Sequence, residues 1–173
     1  MADLPPARER LQPALLDRLT DDEPEKSVEV REQRVMSKAR LRQAVLRDLE
    51  WLFNTTRLES GTSMAALPYA RRSVVNYGLP VFSGQTASTL EIGDLERAIA
   101  QAILDFEPRI LPQSLQVRAL VQLSAFDHHN VIGVEIQGQL WAQPVPLEML
   151  IRTEIELETG KVRLPDVDTP RVP

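Results

Sequence analysis

The chain has 173 residues, room for one modest domain with its own core, and 43% hydrophobic with 26% charged content excludes wholesale disorder. The absence of cysteine excludes disulfides, thiolate nucleophiles and cysteine-ligated zinc, and a net charge of −5 argues against nucleic acid as the main partner. No segment reaches the ~18 apolar residues of a membrane span, and MADLPPARERLQPALLDRLTDD lacks the charged-then-apolar opening of a secretory signal, so the expectation is a cytoplasmic protein with no direct membrane insertion. Charge is unevenly spread: between Arg34 and Arg72 eight Lys/Arg stand against three acids, 8 − 3 = +5, leaving about −10 elsewhere. That is read as a solvated helix face or as a basic docking patch for an acidic protein.

Residues 1–33 read as an amino-terminal extension, polar and proline-dotted. Its apolar island, Leu11, Leu15, Leu16 and Leu19, lines one face of a short helix ahead of the acidic run Asp21, Asp22 and Glu23, and Glu23 to Glu32 reads as a flexible tether. So short a helix is marginal alone, and its face needs either the domain's own surface or another subunit. Residues 34–164 are expected to form one α+β domain, with residues 165–173 a frayed tail.

Within the domain, a helix is predicted from about Ser37 to Asn54, with Leu41, Val45, Leu49 and Leu52 on one stripe and Ser37 as amino-terminal cap. A short helix around Tyr69 to Asn76 should stop at Gly78, with Pro80 beyond it. A second strong helix follows Asp94 as cap, carries Leu95, Ile99, Ile103 and Phe106, and must stop near Phe106 because of Pro108. Thereafter the period changes to two. Leu115 to Leu123, Ile132 to Ile136, and Ile151 to Leu157 alternate apolar with mostly polar residues, and Thr159-Gly160 turns into Val162 and Leu164. The implied architecture is a small antiparallel sheet packed against two amphipathic helices.

The helix stop Glu107-Pro108-Arg109 carries the candidate site. A carboxylate at a helix carboxyl end opposes the helix dipole, whereas a cation just beyond suits it. Glu107 is thus locally misplaced, and either the two charges pair in solvent or they form a rigid plug for a partner, with Arg109 giving geometry and Glu107 polarity. A glycosidase reading would make Glu107 the general acid with Asp105 or Asp127 as second carboxylate. Arg109 alongside would lower the pKa of Glu107, the wrong direction for that acid. Asp127-His128-His129-Asn130 reads as a hairpin turn rather than a metal clamp. Ser73 and Ser88 lack a nucleophile context, and no glycine-rich phosphate loop exists. No cofactor or metal is expected.

Taken in order, LLDRLTDD, RRSVVNYGLP, the helix ending in DFEPRI and the late IELETGKVRL resemble the TssE family of type VI secretion baseplate subunits, grouped with the lysozyme-named wedge proteins of contractile phage tails. The resemblance spans residues 11 to 164. It places the family's Glu-Pro-Arg signature on Glu107, Pro108 and Arg109, and its Asn-Tyr-Gly segment on Asn76, Tyr77 and Gly78. It implies a non-enzymatic subunit at the cytoplasmic face of the inner membrane when assembled, whose corner contacts other baseplate wedge subunits and which helps start the contractile sheath; sheath subunits are thus expected partners. A peptidoglycan-cleaving enzyme and a stand-alone adaptor are the competing readings. Sheet-edge addition is the expected mode of sheath contact.

Overall fold

The computed structural model describes residues 14–19, 25, 36–82, 91–120 and 131–164. Expectations for Leu11, for the His128-His129 turn, for Val121 and Leu123 of the first strand, and for the tail lie outside these residues.

Two long helices and one sheet share a single core. Helix α2 (Lys38–Phe53) starts where Ser37 Oγ accepts the Arg40 N–H at 3.2 Å, and buries Leu41, Ala44, Val45, Leu49, Leu52 and Phe53, the helical stripe written in the sequence. Helix α4 (Ile92–Phe106) buries Leu95, Ile99, Ala102 and Ile103. Its amino end corrects the expected cap: Glu91 occupies that position without a side-chain bond, and Asp94 lies inside the first turn, paired with Arg97. A carboxylate there still meets the positive end of the helix dipole. The short helix expected over Tyr69 to Asn76 is instead two pieces, α3 (Pro68–Arg71) and a 3-10 turn at Val74–Asn76, because Ser73 interrupts the run and caps the second piece through Val75 N–H. Gly78 follows with φ of 120° as expected; a Cβ there would lie 2.2 Å from the Thr55 carbonyl oxygen. That close approach lets Leu79 N donate to Thr55 O at 2.8 Å and Arg57 N to Leu79 O at 2.9 Å, which ties the connection back to the end of α2.

The sheet runs β1 (Gln116–Leu120), β2 (Val131–Leu140), β3 (Leu147–Glu156) and β4 (Val162–Arg163), in that order and antiparallel throughout. The third strand begins four residues before the predicted Ile151, continuing the same alternation through Leu147 and Met149. Ile132, Val134, Ile136 and Leu140 of β2 and Met149, Ile151 and Ile155 of β3 point into the core shared with the helices, while Glu135, Gln137, Arg152 and Glu154 point out. The amino-terminal helix α1 (Leu15–Leu19) contributes no buried residue. Among the described residues no helix is long and apolar enough to cross a membrane.

Candidate functional site

Glu107 closes α4 as its carboxyl cap, its N–H donating to Ile103 O at 2.8 Å. Pro108 then turns the chain, and Ile110 and Arg109 lock that turn onto the end of β2: Ile110 pairs with Leu140, and Trp141 N donates to Arg109 O at 2.7 Å. The two charged side chains are therefore folded inward. Of the two readings of the pair, the solvent-facing one is corrected here, since Glu107 is only 3% exposed. Arg109 wraps it in a fork, Nε donating to Glu107 Oε1 at 2.7 Å and Nη2 to Oε2 at 2.5 Å, while the Arg109 backbone N–H reaches Oε1 at 3.1 Å. Those bonds offset the desolvation of a carboxylate at the wrong end of a helix, which explains how a locally misplaced charge is kept.

The same Nη2 donates to Asp48 Oδ2 of α2 at 2.5 Å. Asp48 in turn accepts from Arg47 Nε at 2.9 Å, and Arg47 Nη2 sits 2.8 Å from Asp17 of α1. An alternating run of charges, Glu107, Arg109, Asp48, Arg47 and Asp17, thus links α4, α2 and α1. Burial alone would ease the proton off Arg109, but the bonds to Glu107 and Asp48 outweigh it and hold the guanidinium charged well above its ordinary range. Arg47 is held up likewise against its own desolvation, by Asp48 and Asp17. Tyr77 closes the other side of this cluster, its ring edge-on to Phe106 at 5.2 Å and its hydroxyl donating to Asp48 O at 3.3 Å. Its own burial, then Asp48 and Glu107, push the phenol upward. Pro108 remains exposed at the apex, and Arg109 Nη1 is buried without a hydrogen-bond partner among the described residues.

Glu107 is not placed as the glycosidase reading requires. A general acid must give up a proton, and both Glu107 oxygens instead accept from Arg109. The proposed second carboxylate Asp105 is engaged elsewhere, by Arg72 at 3.2 Å and Gln101 at 3.0 Å, and Asp127 lies outside the described residues. No group of three or more His, Asp or Glu that could hold a metal occurs among the described residues.

The sheet edges form the second candidate surface, and the structure separates them. On β1 the outward N–H of Ala119 is taken by Glu96 Oε1 of α4 at 2.8 Å. On β4 the side chain of Asn54 acts as a piece of strand, its amide donating to Val162 O at 2.9 Å and its carbonyl accepting Val162 N–H at 3.0 Å. Strand β3 is different: β4 covers only Glu154 and Ile155. Glu156 N donates to Lys161 O across that side, so by strand alternation the N–H and C=O groups of Arg152, Leu150 and Glu148 point the same way. Among the described residues no strand pairs with them, and Arg42 Nη2 reaches the Glu148 carbonyl at 2.8 Å. Among the described residues the β3 edge is thus unpaired at Leu150 and Arg152, while Arg42 takes the Glu148 carbonyl. Sequence reasoning missed Asp48, Arg47, Glu96 and Asn54; Arg47 and Asp48 are neighbours, but Arg109, Asp17, Ala119 and Val162, which give these residues their roles, stand far away in the chain.

The leucines of α1 are exposed: Asp17 faces α2, and Leu15, Leu16 and Leu19 face outward.

Among solved structures, a chain of "The baseplate complex from the type VI secretion system" is similar, with 22% identity over 67% of this chain and 93% of that chain and a TM-score of 0.45. No curated protein matches. Residues 39–145, which hold α2, the Gly78 connection, the Glu107-Pro108-Arg109 corner and β1 to β2, match the family described as Baseplate wedge protein gp25. That stretch is well over half of the chain, which therefore belongs to the gp25 baseplate wedge family.

Proposed function

We propose that this chain is a structural subunit of the baseplate of a type VI secretion machine, TssE-like and without catalytic turnover, which docks to other wedge subunits and helps initiate the contractile sheath from the cytoplasmic face of the inner membrane. Membership of the baseplate wedge family carries the reading. The ordered motifs from LLDRLTDD to IELETGKVRL support the type VI assignment. In this account the corner works as a built unit. Glu107 fixes Arg109, and Pro108 and the exposed part of the Arg109 side chain meet the partner. Leu15, Leu16 and Leu19 add an apolar face for another wedge subunit. The β3 edge, unpaired at Leu150 and Arg152 among the described residues, offers those groups and the Glu148 N–H to a strand of the sheath, since unpaired strand groups template a further strand.

Blocking that edge tests the reading. Proline at position 150 removes an outward N–H at a site whose side chain is exposed, a place where an edge strand tolerates it. Leu150→Pro should keep a cooperative melt and lose sheath initiation when co-produced with the other baseplate and sheath subunits. Undiminished sheath assembly by the folded variant would remove the edge from the account. Sustained release of soluble fragments from peptidoglycan by the purified protein, abolished in Glu107→Gln, would overturn the non-enzymatic reading altogether.

A further inference from the structure

The connection between α2 and α4 presents apolar side chains outward from a backbone that is firmly pinned. Tyr69 is 92% exposed, Val74 81%, Val75 60% and Leu67 57%. All four stand on α3, its amino-terminal cap and the adjoining 3-10 turn. Single exposed apolar residues are ordinary, but several on one short piece of structure are the mark of an interaction surface. The two pieces are stitched together by Asn76, a buried amide whose Oδ1 accepts the Glu59 N–H at 2.9 Å and whose Nδ2 donates to Arg71 O at 2.9 Å. Ser73 adds a bond to Ala70 O at 2.8 Å, and Met64 anchors the segment in the interior. Burying an amide and forcing Gly78 into a close approach is costly for a loop that only spans two helices. The cost makes sense if the loop must hold protruding side chains still, so that little conformational entropy remains to be lost when they are covered.

The charge beside these side chains indicates what covers them. Within residues 54–82 Arg57, Arg71 and Arg72 stand against Glu59 alone, 3 − 1 = +2, in a chain whose net charge is −5. Arg57 is 3.8 Å from Glu59 and Arg72 is held by Asp105. Arg71 is exposed, and its backbone, not its guanidinium, makes the bonds that pin the loop. Protruding valines and a tyrosine beside an exposed cation fit a groove lined by aliphatic side chains and rimmed by carboxylates.

We propose that Leu67, Tyr69, Val74 and Val75, with Arg71 at their margin, form a docking surface for such an acidic-rimmed apolar groove on another baseplate subunit, separate from the Glu107–Arg109 corner and from the β3 edge. The identity of the partner as a baseplate subunit rests on the function proposed above. The test places a photo-crosslinking amino acid at Tyr69 or at Val74 in the full chain, co-produced with the other baseplate subunits, and compares capture by the parent, Val74→Asp, Arg71→Lys and Arg71→Glu. The expected result is a crosslink to a different subunit, capture weakened at least about tenfold by Val74→Asp and by Arg71→Glu, near-parent capture by Arg71→Lys, and unchanged melting for all three. Crosslinks only to a second copy of this chain, crosslinks to none, or parent-like capture by Val74→Asp would overturn the docking surface while leaving the baseplate assignment standing. A parent chain that no baseplate subunit captures would overturn that assignment, and this surface with it.

Discussion

At Arg109 a planar, always-charged fork meets two carboxylates from different elements, and substitution there disturbs the fold before it disturbs any partner. Removing the guanidinium strands Glu107, 3% exposed and at the negative end of α4, and leaves Asp48 with Arg47 as its charged partner among the described residues. Breaking a buried pair costs ~3–5 kcal/mol, and because Arg109 retains 21% side-chain exposure the lower end applies, about 3 kcal/mol. Arg109→Ala should therefore lower the melting temperature by roughly 10 °C, with a matching loss in urea unfolding. A drop of a degree or less would return the pair to the solvent-exposed class. Arg109→Lys keeps the charge but loses the fork, and should fall between parent and alanine. The signature Glu-Pro-Arg was legible in the sequence, as was the unfavourable placement of Glu107. Its burial was not, because the compensating Asp48 lies 61 positions away and looks, in a helix pattern, like one more solvated charge.

At the scale of elements, α1 shows how an amphipathic pattern can be satisfied in reverse. Its polar residue Asp17 docks on Arg47, while the leucines that the period marked as a binding face remain exposed. Little apolar area of α1 is buried, and the ion pair of Asp17 with Arg47 ties it to α2; such pairs are worth ~0–1 kcal/mol where water reaches them. Arg47→Gln should raise amide exchange across residues 15–19 and leave Val45 and Leu49 of α2 protected. Exchange at 15–19 as slow as in α2, in parent and variant alike, would place α1 in the core. The long helices and the strands were legible because their 3.6-residue and two-residue periods are strong. The α3 region was misread as a single helix: Ser73 bonds back to Ala70 and caps Val75, a local competition that hydrophobic pattern does not record.

For the molecule as a whole, the α+β plan follows from the switch of period after Pro108, and the helices cover one face of a sheet whose other face is mostly polar, with Leu120, Val131 and Leu150 exposed on it. Which edge of that sheet is open could not be read from the pattern. It depends on Glu96 reaching Ala119 and on Asn54 imitating a strand beside Val162, both long-range contacts of polar side chains. With those two positions occupied, β3 keeps outward groups unpaired among the described residues, and in the proposed function a sheath strand adds there. Hydrogen exchange resolved to single amides, on the chain alone and within the assembled baseplate and sheath, tests this most directly. The account predicts that the amides of Glu148, Leu150 and Arg152 exchange readily in the free chain and become strongly protected on assembly. Assembly with those three amides exchanging as fast as in the free chain would contradict it.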